Sequence, residues 1–193
     1  MRKLICALLA AGCVATGAIA GLPEAPAVAA PAAAELAVGA VANFTPSAEP
    51  APAPAVRFSD DEGKTVTLER FRGKVVLLNF WATWCAPCRR EMKDLDALQA
   101  KLGGKDFVVV AVSGDRQGLP VVRDFFKSLK IRHLSLYNEP QMAPHRAFHA
   151  FGLPTTVLLD RQGRELGRMV GPADWSSKEA MALIRHYIGQ PAG

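Results

Sequence analysis

One short stretch constrains this chain more than any other. Lys74-Val75-Val76-Leu77-Leu78-Asn79-Phe80 runs through Trp81-Ala82-Thr83-Trp84 into Cys85-Ala86-Pro87-Cys88. A near-continuous Val- and Leu-rich run of this length predicts a central strand buried on both faces. Pro87 suits the first turn of a helix, where a missing N–H costs nothing. From about Ala86 to Leu102, Met92, Leu95, Leu98 and Leu102 recur on one helical face, and Gly103-Gly104 stops the helix. Two cysteines therefore open a helix directly after a buried strand, which demands an α/β fold with a central sheet.

That placement has chemical consequences. A helix N-terminus carries roughly half a positive charge on its unpaired N–H groups. Such a charge stabilises the thiolate of the first cysteine, making Cys85 the nucleophile, while Cys88, one turn further in, is the resolving thiol. Zinc needs four ligands, and neither a second CxxC nor a paired histidine motif accompanies this one, so no metal and no cofactor are expected. The other two cysteines, Cys6 and Cys13, lie near the N-terminus, so the domain is not a disulfide-stapled scaffold. A structural disulfide at CxxC spacing would pin little, and redox chemistry is the better use of the pair.

The N-terminus reads as an address. Met1-Arg2-Lys3 precedes an apolar run from Leu4 to Ala20, and Ala18-Ile19-Ala20 fits a small-x-small cleavage site. Residues 1–20 are thus a signal peptide, or alternatively a membrane anchor through residues 4–20. Lipidation at Cys13 within Ala10-Ala11-Gly12-Cys13 is a third reading. Each implies export, to a periplasm. Residues 21–55 are Ala- and Pro-rich and read as a linker, extended and semi-rigid where Pro alternates, with one short helix allowed over Ala32 to Phe44 and disorder expected from 45 to 55. The net charge is +5, and no Lys or Arg occurs between Leu4 and Val56, so the basic excess sits in the domain at 56–190. The bases are scattered and no nucleic-acid motif is present, which favours a solvated basic surface over a nucleic-acid interface.

Within 56–190 the pattern predicts a hairpin (Val56 to Phe58, then Thr65 to Leu68), and strands at Phe107 to Val112, Leu134 to Leu136, Thr156 to Leu159 and Glu165 to Val170. Helices are predicted at Leu119 to Leu129, Ala143 to Phe151 and Ser176 to Ile188, the last with a capping box from Ser176 to Glu179. His145 and His149 are spaced i, i+4, a metal-compatible spacing, but without a third ligand nearby they read as exposed histidines, like the isolated His133 and His186.

The run from Gly73 to Cys88 resembles the thioredoxin-like TlpA/ResA thiol:disulfide interchange proteins. Gly152-Leu153-Pro154-Thr155-Thr156 resembles that family's cis-proline loop, and Gly171-Pro172-Ala173-Asp174-Trp175 a segment of its TlpA branch, the closer match. The resemblance implies a thioredoxin-like fold with an N-terminal β-hairpin and a central insertion. It implies Cys85 and Cys88 as the redox pair, Pro154 as the cis-proline, and Leu153 and Thr155 flanking a substrate groove with Pro87 and Trp84. It also implies a role for Glu91, three residues after Cys88 on the same helical face, as a proton acceptor or relay; a solvated helix glutamate is the alternative. Asn79 stands where ordinary thioredoxins place a buried Asp. Trp81 reads as packing.

No histidine separates the cysteines, so the disulfide should be only weakly oxidising and the chain a reductant. The resemblance implies a membrane thiol-disulfide electron donor. It implies substrates that are either apocytochrome c or the cysteine pairs of a copper chaperone or the oxidase copper subunit, with the TlpA-like features tilting toward copper. A monomer is expected. Two rival readings are a copper-binding module without turnover and a thiol peroxidase, against which stand Thr83, only two residues before Cys85 where a Thr-x-x-Cys setting needs three, and Pro154 in its thioredoxin position.

Overall fold

The computed structural model describes residues 29–190, so the leader at 1–20, with Cys6 and Cys13, lies outside it. No helix among the described residues is long and apolar enough to cross a membrane. The elements run α1 (Ala29–Leu36), β1 (Thr45–Pro52), β2 (Arg57–Ser59), β3 (Thr65–Thr67), β4 (Val75–Trp81), α2 (Ala86–Leu102), β5 (Phe107–Ser113), α3 (Leu119–Leu129), β6 (Tyr137–Asn138), α4 (Ala143–Ala147), β7 (Thr155–Leu159), β8 (Arg164–Val170) and α5 (Lys178–Ile188).

All eight strands form one mixed sheet in the order β1-β8-β7-β4-β5-β6-β2-β3. β4 is central, parallel to β5 and antiparallel to β7, and every one of its residues is buried. Successive side chains of a strand point to opposite faces. Val75, Leu77 and Trp81 accordingly enter a core shared with α2, α3 and α5, while Val76, Leu78 and Phe80 enter a second core with the β2–β3 hairpin and Phe148. Asn79 belongs by the same alternation to the α2 face, which decides its partner below. The hairpin pairs onto β6 through Ser59 and Asn138, so β6 and the N-terminal hairpin complete one edge of the sheet.

The largest departure from expectation is at residues 45–55. Residues 45–52 are not a free tether: they form β1, antiparallel to β8, with Thr45 opposite Arg168 and Pro52 opposite Arg164 around an irregularity between Pro46 and Ala51. Proline is tolerated here because β1 is an edge strand with only one side paired. The Pro-x run has the extended conformation its composition predicts, but a strand rather than water receives it. The folded unit thus begins well before Val56, and α1 and a 3-10 turn at Gly39–Val41 precede it. Ala33, Val41 and Phe44 are buried, and Phe44 meets Tyr187 of α5 edge-on at 6.3 Å.

Three smaller expectations also shift. Leu134 and Leu136 are buried in a loop, and the strand is the two residues after them. α4 ends at Ala147 instead of continuing to Phe151, and His149 takes a left-handed φ of 54°. Ser177, not Ser176, caps α5, its Oγ accepting from the Ala180 N–H at 3.1 Å; Ser176 instead donates its hydroxyl to Asp174.

Candidate active site

β4 delivers the cysteines to the end of the sheet. Trp81, its last residue, is fully buried and stacks on Phe126 with centroids 5.8 Å apart, which is the packing role expected of it. The chain then leaves the sheet, and Cys85, in extended conformation, caps α2: its Sγ accepts the Cys88 N–H at 3.3 Å. Pro87 sits in the first helical turn. Cys85 and Cys88 are joined as a disulfide with Cα atoms 5.3 Å apart. Cys88 has no exposed surface while Cys85 keeps 6%, so a partner meets Cys85 first. Trp84 beside it is 63% exposed.

The register of β7 explains the second half of the site. Thr155 lies opposite Phe80, so Pro154 sits at the same sheet end from which the cysteines depart. The Leu153-Pro154 bond is cis, and Pro154 is buried with its carbonyl accepting from Gly171 N–H at 2.9 Å. Leu153 is half-buried. Thr155 is buried and donates its hydroxyl to the Gly152 carbonyl at 2.6 Å, which fixes the turn from the proline loop into β7. Two residues that carry no motif in the sequence expose apolar surface on the neighbouring segments: Phe151, 84% exposed, and Val170, which pairs with Thr155 and borders Gly152. Ala150-Phe151-Gly152 reads in sequence as a helix end, and only the shortening of α4 leaves the phenyl ring outside.

Glu91 is 2% exposed, which disposes of a solvated helix glutamate. Its Oε1 accepts from Asn79 Nδ2 at 2.9 Å and its Oε2 from the Ala173 N–H at 3.1 Å. Asn79 Nδ2 also donates to Thr156 Oγ1 at 3.0 Å, leaving Asn79 Oδ1 buried without a partner. The indole N–H of Trp175 is buried close enough to act on the carboxyl without forming a well-aligned bond. Burial pushes the Glu91 carboxyl up from its ordinary 4.5 to about 7; the Asn79, Ala173 and Trp175 donors hold it back and nearby Asp94 adds to the rise. A group titrating there can give or take a proton near neutrality. The segment Gly171 to Trp175 thus forms the cover over a buried carboxyl in the turn of α2 after Cys88.

His145 and His149 do not act together. His149 is exposed, whereas His145 is buried against Phe80 with centroids 4.8 Å apart and neither ring nitrogen well bonded. Burial holds its pKa down at about 4, opposed by the Trp81 backbone and assisted by nearby Arg146. His133 is exposed, and His186 is half-buried with Gln190 at 2.9 Å. No group of three or more His, Cys, Asp or Glu is arranged to hold a metal among the described residues.

A redox-active CxxC capping a helix at the end of a buried strand, with a cis-proline loop at the same sheet end, defines a thioredoxin-like thiol-disulfide oxidoreductase. The chain belongs to the Redoxin family, whose profile matches residues 48–184. It is 31% identical over 120 residues to the thiol-disulfide oxidoreductase ResA of Bacillus thuringiensis subsp. konkukian, covering 62% of this chain and 68% of that one. Among solved structures it resembles a thiol:disulfide interchange protein from Chlorobium tepidum, provisionally designated DsbE, with a TM-score of 0.66 and 30% identity over 73% of this chain and 98% of that one. It likewise resembles a DsbF homologue from Corynebacterium diphtheriae, with a TM-score of 0.60 and 30% identity over 74% and 90% of the two chains. The family match begins at residue 48, inside β1, which agrees with a folded unit that includes this strand.

Proposed function

We propose that the chain is an exported reductant of disulfides in partner proteins, acting in the assembly of the copper site of cytochrome oxidase or of cytochrome c. The observation that carries the reading is the pairing of a helix-capping Cys85 with a fully buried Cys88 above a carboxyl that titrates near neutrality. In the reduced chain the Cys85 thiolate attacks one sulfur of a partner disulfide, and the other partner sulfur leaves as a thiolate. Cys88 then loses its proton, with Glu91 as acceptor, and its sulfur attacks Cys85. The partner departs as a dithiol, and the chain is left oxidised as found here. Two electrons and two protons must return from a thiol donor, for which a membrane thiol-disulfide protein fits an exported chain.

Ala86-Pro87 between the cysteines supports reduction over oxidation, since no imidazolium is present to hold the Cys85 thiolate too stably to donate. Trp84, Phe151 and Val170 support a polypeptide substrate: they are three of the four large hydrophobic residues most exposed among the described residues, and all lie on the segments that form the site. Thr83 lies two residues before Cys85, one short of the Thr-x-x-Cys spacing of a peroxidatic cysteine, and its hydroxyl donates to Asp115 at 2.6 Å, so this site does not favour the peroxidase reading.

Trapping tests the proposal. The full chain carrying Cys88→Ser cannot resolve a mixed disulfide, and expression in its own compartment should capture a copper-handling or cytochrome-assembly protein on Cys85. Capture of a broad set of unrelated exported proteins would refute the specific role.

A further inference from the structure

We propose that Asp115 is a positioning residue for Cys85, acting through Thr83; this rests on Cys85 being the attacking sulfur. Residues 82–84 belong to no strand or helix, yet the chain must leave the sheet and present Cys85 as a cap within these three residues. One carboxylate from the neighbouring strand's exit loop braces them. Thr83 donates its N–H to Asp115 Oδ2 at 2.8 Å and its hydroxyl to Oδ1 at 2.6 Å. Both the backbone and the side chain of the residue two before the nucleophile are therefore fixed by one group.

Asp115 is itself held from three sides. Ser113 Oγ donates to Oδ2 at 2.6 Å, the Asp115 N–H donates back to Ser113 Oγ at 3.1 Å, and Asn138 Nδ2 donates to the Asp115 carbonyl at 3.1 Å and the Ser113 carbonyl at 3.0 Å. Gly114 N–H reaches the Trp81 carbonyl at 2.8 Å, and Cys85 N–H the Ala82 carbonyl at 3.1 Å, closing the loop at both ends. Asp115 is 4% exposed and Asn138 2%, so water does not compete for the bonds among Ser113, Asp115 and Asn138. Charge-assisted hydrogen bonds donated to a buried carboxylate are short and directional. A buried carboxylate that accepts three donors is stable where it stands, but the sheet does not need it: β4 and β5 pair along their whole length without it. What the brace adds is the direction in which the chain enters Cys85. Sulfur attack on a disulfide depends on that direction, and a misplacement of about 1 Å can cost on the order of a hundredfold in rate.

The test compares Thr83→Val, which keeps the shape and loses the hydroxyl, with Thr83→Ser, which keeps the hydroxyl, in the full reduced chain. The readouts are the second-order rate of exchange with glutathione disulfide and the denaturation midpoint of the oxidised chain. Thr83→Ser should exchange within about twofold of wild type with an unchanged midpoint, and Thr83→Val about tenfold or more below it; its midpoint falls because Asp115 Oδ1 loses a donor, while the chain stays fully folded under the assay conditions. If the valine chain does not fold, Thr83→Ala, which retains the N–H bond, takes its place with the same expected loss. Exchange by the valine or alanine chain at the wild-type rate overturns the proposal, as does an equal loss in the serine chain. A wild-type chain that does not exchange at all overturns the oxidoreductase reading itself.

Discussion

Replacing Glu91 by Gln isolates the energetic cost of the buried carboxyl. A carboxyl moved from its ordinary 4.5 to about 7 by burial carries about 3 kcal/mol, at roughly 1.4 kcal/mol per tenfold change in proton affinity. The direction follows from proton binding: between those values the folded chain holds a proton that the unfolded chain has lost. Stability is therefore full below pH 4.5 and falls as pH rises through 7. The Glu91→Gln chain has no such loss. It gives up one of two acceptor oxygens, worth about 1 kcal/mol. Asn79 can recover part of this by turning its amide over, since its unpartnered Oδ1 then accepts from the introduced amide. Chemical denaturation of the oxidised chains should show the variant no more stable than wild type at pH 4.5, and about 2 kcal/mol more stable at pH 8. Other groups titrate alike in both chains and cancel in the difference. A difference that is flat with pH, or a wild type that gains on the variant as pH rises, would refute the burial argument and with it the assignment of Glu91 as proton acceptor.

His145 acts with the opposite sign. Its pKa is held at about 4, so its contribution is present above pH 6.5 and is lost as pH falls through 4. His145→Leu should resist acid denaturation better than wild type, with little gain at pH 8, as read from the pH midpoint of unfolding. Gly167→Ala places a Cβ 2.5 Å from Phe44 Cζ and 2.7 Å from the Thr45 carbonyl, so β1 must shift. It should lower stability by about 2 kcal/mol and abolish amide-exchange protection in β1. Phe151→Ser should reduce kcat/KM toward a captured protein partner about tenfold while affecting exchange with glutathione disulfide much less, as competition between the two substrates would show.

How much of this was legible beforehand depended on how local the cause was. Helix α2, helix α3 and strand β4 follow from periodicity and punctuation within one segment, and they match expectation to within a residue or two. The redox pair was legible for the same reason, since strand, CxxC and helix are contiguous. β1 was not, because Pro-rich extended chain looks alike whether it faces water or a strand, and its partner β8 lies more than a hundred residues on. Burial of Glu91 depends on Ala173 and Trp175, and the orientation of Thr83 on Asp115; neither relation leaves a mark at short range in sequence. The burial of His145 escapes the sequence because an i, i+4 spacing implies a continuous helix, and α4 stops too soon to present both rings alike.

The central physical claim is that Cys85, at the start of α2, is the sulfur that meets partners, and that Cys88 is sealed behind it. Timed alkylation of the fully reduced chain at neutral pH, with each labelled cysteine identified by peptide mass spectrometry, tests it directly. Cys85 should be labelled well before Cys88 and faster than a cysteine in an unstructured peptide. Equal labelling of the two, or labelling of Cys88 first, would contradict it.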